Sequence, residues 1–217
     1  FGLNIFDPNS NQVATQFHNP KLSFSIANNV IWQIFEDRAG VLWFVTSNGL
    51  SRTNLNGNFY SYHEISRIVE DQVIGNQVKT ILPGIDGNLW LGTQDGVIRL
   101  NDKSEEAVVF DANTNNDRQL LLNNVFALEQ DDLGRIWIGS AGGINIWDDE
   151  KEQMVEITAS KQNGLSSNYI AHFIKSPDGT FWVSAWEGGL FKVTGDLAKP
   201  VALHFDAVPG IDGVSEK

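Results

Sequence analysis

The chain has 217 residues, 41% of them hydrophobic and 11% aromatic, enough apolar surface to build a folded core. Asp and Glu number 27 against 15 Lys and Arg, a net charge of −12 with no basic run, which excludes nucleic acid and anionic membranes as partners. The absence of cysteine excludes disulfides and thiolate-bound zinc, and no stretch reaches the roughly 18 apolar residues of a membrane helix. The first residue is Phe and no signal peptide is recognisable, so the chain is expected to be part of a longer protein.

In chain order, residues 1–18 read as two strands. Their start, FGLNIFD, repeats GGINIWD at 142–148, so the chain is expected to open inside a repeated unit and to supply half of one. Four full units follow, over 29–63, 76–110, 123–157 and 168–205. Each begins with an Asn (Asn29, Asn76, Asn123, Asn168) and a β-rich run, VIWQIFED, QVKTILPG, NVFALEQD or YIAHFIKS. A turn leads into GVLWFVTSNGL, GNLWLGTQDGV, GRIWIGSAGGI or GTFWVSAWEGGL, then a third strand and an outer run such as FYSYH, AVVF, MVEI or ALHF. The tryptophans Trp43, Trp90, Trp137 and Trp182 are 47, 47 and 45 residues apart. RQLLLNNVFAL, 118–128, is a helix-like passage that the repeat frame overrides. The closing PGIDGVSEK resembles KQNGLSSN and is expected to lead into a further unit.

Four-stranded units at this period, apolar on both faces, must stack face to face. The expected fold is therefore all-β: a single partial β-propeller over 1–217, of about four and a half antiparallel blades. Its closure is open between a four-bladed ring, an open arc and an assembly in which two chains complete each other. Open blade edges make self-association an expectation.

The repeated positions, carried in the second unit by Asn76, Val78, Ile81, Gly87, Leu89, Trp90, Gly92, Thr93 and Gly96, resemble the two-component regulator propeller repeat. Departures are Val45 and Ser184 where that repeat prefers Gly, and Gly84 where Asp is usual. The resemblance implies an extracytoplasmic sensor of a hybrid histidine kinase or a membrane-bound diguanylate cyclase, often in carbohydrate utilisation. It places the chain in the periplasmic or extracytoplasmic part of an inner-membrane protein. The signalling enzyme itself has no motif in these residues.

Indoles can stack on sugar rings, but Trp43, Trp90, Trp137 and Trp182, held in register on second strands, are expected to pack between blades. Function is expected where the repeats differ. The turn between second and third strands is one residue longer in the last unit and carries Trp186 and Glu187, an aromatic beside a carboxylate. Equivalent turns offer Asn48, Gln94 and Asp95, and together these form the expected rim for an oligosaccharide or other small ligand. Trp32, Lys79, Phe126 and Ala171 share one column of the innermost strands; core packing is expected for Trp32 and Phe126, with tuning of a central channel as the alternative.

His18, His63, His172 and His204 lack ligand spacing, and Asp86, Asp131 and Asp132 read as turn carboxylates, so no metal, cofactor or catalytic residue is assigned. A different class, a propeller enzyme similar to the streptogramin lyases with a catalytic histidine and magnesium, requires His and Glu to converge on the ring axis. A protein-docking scaffold is the third alternative.

Overall fold

Runs of β-branched and aromatic residues fit the pleat of a strand, and the Gly, Asn and Asp between them allow tight reversals. The computed structural model describes residues 1–22, 25–37, 40–54, 61–63, 77–101 and 107–210, with backbone alone for 54 and 61–63. Asn76, the His63 side chain, the first two residues of FYSYH and residues 211–217 lie outside the described residues. A two-stranded ribbon, β1 (Leu3–Asp7) and β2 (Gln12–Gln16), comes first.

Blade 1 is β3 (Ile31–Glu36), β4 (Val41–Thr46), β5 (Gly49–Asn54) and β6 (Ser61–His63). Blade 2 is β7 (Val78–Pro83), β8 (Asn88–Thr93), β9 (Gly96–Asn101) and β10 (Ala107–Phe110). Blade 3 is β11 (Val125–Gln130), β12 (Ile136–Ser140), β13 (Gly143–Asp148) and β14 (Gln153–Ile157). Blade 4 is β15 (Ile170–Lys175), β16 (Phe181–Ala185), β17 (Gly189–Thr194) and β18 (His204–Ala207). Every sheet is an antiparallel meander, and the first strands β3, β7, β11 and β15 stand side by side as the inner column.

No α-helix occurs among the described residues, and 118–124 connects β10 to β11 without one. The last outer strand starts at His204, two residues later than the expected ALHF run, because Pro200–Ala202 form a 3-10 turn that proline's fixed φ favours.

The core lies between blades. Val45, Leu50, Val78, Ile81, Leu91 and Ile98 join blades 1 and 2; Trp90, Phe110, Leu128, Ile136 and Trp147 join 2 and 3; Trp137, Phe173, Phe181 and Val183 join 3 and 4. Close approach here sets one repeat position. A Cβ on Gly139 would stand 2.7 Å from Ile170 Cγ2, and one on Gly92 would stand 2.8 Å from Val125 Cγ1, so each glycine admits the first residue of the next blade.

The repeated Asn has a different task. The Oδ1 of Asn29, Asn123 and Asn168 accepts the backbone N–H of His18 (2.7 Å), Ala112 (2.5 Å) and Ala159 (2.5 Å), tying the end of one outer strand to the start of the next inner one. Blade 1 packs on the ribbon through its second strand, where Leu3 and Ile26 bury Phe44 beside Ile31 and Leu42. Its inner strand is less covered than the others: Ile34 is 53% exposed, whereas its counterparts Ile81, Leu128 and Phe173 are 3%, 6% and 2% exposed.

Candidate functional site

Inner strands begin at the end of each sheet where the second turn lies, since Ile31 pairs with Thr46, Val78 with Thr93, Val125 with Ser140 and Ile170 with Ala185. The turns therefore share one face. In the first three blades the turn has two residues, shaped by a hydroxyl: Thr46, Thr93 and Ser140 donate to the carbonyls of Gly49, Gly96 and Gly143, and accept from the N–H of Asn48, Asp95 and Gly142. Ala185 replaces the hydroxyl in blade 4 and pairs with Gly189 across three residues, Trp186, Glu187 and Gly188.

Lengthening pushes the aromatic outward: Trp186 is 64% exposed, while its backbone N–H donates to Tyr169 O at 2.9 Å. Glu187 is exposed and takes φ of 56°, the left-handed region that turn tips occupy. Gln94 is exposed and donates its N–H to Gln77 O, and Asp95 is half-buried.

Beside these turns every inner strand carries a bulge. The ladder shifts register between Ile31 and Gln33, Val78 and Thr80, Val125 and Ala127, and Ile170 and His172, leaving Trp32, Lys79, Phe126 and Ala171 as the extra residues. The expectation that Trp32 packs in the core is thereby corrected. It is 54% exposed, because the extra residue turns its side chain toward the rim, where its Nε1 donates to Ser47 Oγ at 2.9 Å. Phe126 is half-buried and stacks on Tyr169, with centroids 5.0 Å apart and planes at 25°. Lys79 Nζ lies 4.4 Å from the Phe126 centroid and donates to Asn124 Oδ1. Burial pulls the pKa of the Lys79 ammonium down, and the Asp95 carboxylate opposes that pull. Tyr169 meets Trp186 edge to face at 6.0 Å.

The result is a belt over blades 2 to 4: Lys79, Phe126, Tyr169, Trp186. Of the residues expected at the rim, Trp186 lies in this belt and Asp95 acts on it electrostatically. Asn48 instead lines a cleft of about 170 Å³ with His18, Pro20, Leu22 and Ile26, smaller than the roughly 300 Å³ of ordinary ligand pockets. Sequence reasoning missed Tyr169 and Asn124 as rim residues; the available signal was that they precede the inner strand at one repeat position, with Val30 and Gln77 as counterparts.

The repeat tryptophans point elsewhere. Trp90 packs on Phe110 at 5.4 Å and Trp137 on Phe181 at 4.5 Å, both fully buried, while Trp43 and Trp182 are half-buried. His172 and Glu129 sit on neighbouring inner strands; burial raises the Glu129 carboxyl pKa, and the attraction of Lys175 and His172 only partly opposes that rise. His204 pairs with Asp206 on the outer strand at 2.9 Å, and no group of three His, Asp or Glu able to hold a metal occurs among the described residues.

The sequence matches the two component regulator propeller family over residues 25–48, 72–95 and 119–142. These three segments match as two component regulator propeller repeats. The fourth repeat, with Ser184, Ala185 and its longer turn, lies outside the matched segments. Among solved structures, the extracellular domain of a putative hybrid two component system from B. thetaiotaomicron matches at 20% identity and TM-score 0.74, over 99% of this chain and 27% of that one. The extracellular domain of a putative one component system from the same organism matches at 25% identity and TM-score 0.55, over 91% and 26%. Virginiamycin B lyase from Staphylococcus aureus matches at 15% identity and TM-score 0.58, over 83% and 56%. The chain thus spans about a quarter of the length of the first two, and the likeness is one of fold. No protein of curated function matches it.

Proposed function

We propose that these repeats are a non-catalytic, ligand-sensing part of an extracytoplasmic bacterial receptor, and that a carbohydrate or similar small ligand binds the rim of the second turns. The family description and the extracellular two-component domains among the structural matches support the receptor reading. The belt of Phe126, Tyr169 and Trp186 carries the ligand reading: aromatic faces at a wet surface beside donors and acceptors, Lys79, Asn124 and Asp95, suit a ring with one apolar face and a hydroxylated edge. A ligand there touches blades 2, 3 and 4 at once. Binding then favours one relative packing of those blades, which is the differential interaction that a sensor requires.

Calorimetric titration with a panel of plant and bacterial oligosaccharides tests this. At least one is expected to bind, and Trp186→Ala is expected to weaken it about tenfold or more, since exposed tryptophans often dominate recognition. Unchanged affinity in that variant overturns the rim. Cleavage of the bound sugar, or of virginiamycin B, overturns the non-catalytic reading.

A further inference from the structure

A bulge repeated at one frame position in four blades is a built feature, because it interrupts the ladder each time and must be offset by what it positions. It does not serve the core. Its flanking residues do: Val78, Thr80, Val125, Ala127 and Ile170 are buried, while the extra residue is exposed or half-buried at the rim. Those extra residues are chemically unrelated, an indole, an ammonium, a phenyl and a methyl, on otherwise equivalent backbones. Each of the first three is held by a neighbour: Trp32 by Ser47, Lys79 by Asn124, Phe126 by Tyr169.

We infer that the bulge residue of each inner strand is the specificity-determining position of its blade, and that Lys79 makes the rim prefer a ligand bearing an anionic group over its neutral counterpart. This rests on the rim reading above. The Lys79 ammonium spends one N–H on Asn124, which leaves two donors for a ligand oxygen. Its flank on the Phe126 ring and its partial burial remove water that would screen such a contact. Asp95 competes for the same charge, so its carboxylate sets how strong the preference is.

The test uses trigalacturonate and neutral galactotriose as paired probes, titrated into the parent chain, Lys79→Met, Asp95→Asn and Trp186→Ala, with melting curves to confirm folding. The parent is expected to bind the acid about tenfold more tightly, as a charge-assisted hydrogen bond allows. Lys79→Met is expected to weaken the acid far more than the neutral probe and so abolish the preference, Asp95→Asn to enlarge it, and Trp186→Ala to weaken both probes together. If neither probe binds, if the parent shows no acid preference, or if Lys79→Met keeps it while Trp186→Ala weakens both, the specificity inference is wrong and the rim reading stands on its own test. If Trp186→Ala changes neither affinity, the rim reading itself fails.

Discussion

Trp90 and Trp137 occupy the same repeat position in the same kind of interface, yet their indole N–H groups end differently. Trp137 Nε1 donates to Asp131 Oδ2 at 2.9 Å, Trp43 Nε1 to Asp37 at 3.0 Å and Trp182 Nε1 to Ser176 Oγ at 2.8 Å, each six residues upstream. Gly84 stands there in the second repeat, and Trp90 Nε1 is buried without a partner among the described residues. Gly84→Ser is expected to supply it, as Ser176 does. A Cβ at Gly84 lies 3.3 Å from Trp90 Nε1 and 3.2 Å from Asn88 O, and the exposed Asp86 carboxylate that it meets must leave its hydrogen bonds to Asn88, a surface loss smaller than the buried bond gained. The expected gain is about 1 kcal/mol, read as a higher urea midpoint at unchanged slope.

Glu129 is a second local conflict. Its column otherwise holds Phe35, Leu82 and Ile174, and burial raises its carboxyl pKa above 4.5, against the attraction of Lys175 and His172. A folded-state pKa above the unfolded one means that the native state holds the proton more tightly. Stability is therefore greatest below the unfolded value and falls as pH rises through the folded one. Glu129→Gln is expected to melt close to the parent near about pH 4 and above it near about pH 7. A difference that is the same at both pH values contradicts that account.

At the scale of elements, the blades were legible because the sequence repeats them. Trp43, Trp90, Trp137 and Trp182 mark the second strands, and the Gly and Asn between runs mark the turns. The bulges were not legible, for a physical reason that Lys79 and Phe126 illustrate. An extra residue present in all four copies leaves the repeat frame unshifted, so only pairing to the neighbouring strand reveals it. The longer turn at Trp186 was visible because it occurs once. The repeat position of Tyr169 was visible, but its place in the belt was not, since its contacts with Phe126 and Trp186 come from two separate elements. The glycines two residues after Trp90 and Trp137 test how closely elements pack. Gly139→Val places a side chain where Ile170 and Phe173 already sit, and a loss of about 1–3 kcal/mol is expected by denaturant melting.

For the whole molecule, four blades stack along one inner column and leave different chemistry at the two ends of that column. One end carries the hairpins 37–40, 84–87, 131–134 and 176–179, closed by backbone hydrogen bonds of one pattern. The other carries the varied turns and the bulge residues, joined across three blades by the Lys79 to Trp186 belt. In the proposed function, sensing belongs to the second end. Amide shift mapping by NMR on the 24.1 kDa chain, titrated with an oligosaccharide that binds it, separates the two ends in one experiment. Perturbations are expected at Asn124, Tyr169, Trp186 and Glu187, with Gly87, Gly134 and Gly179 unmoved. Shifts centred on those three glycines, with the rim silent, would contradict it.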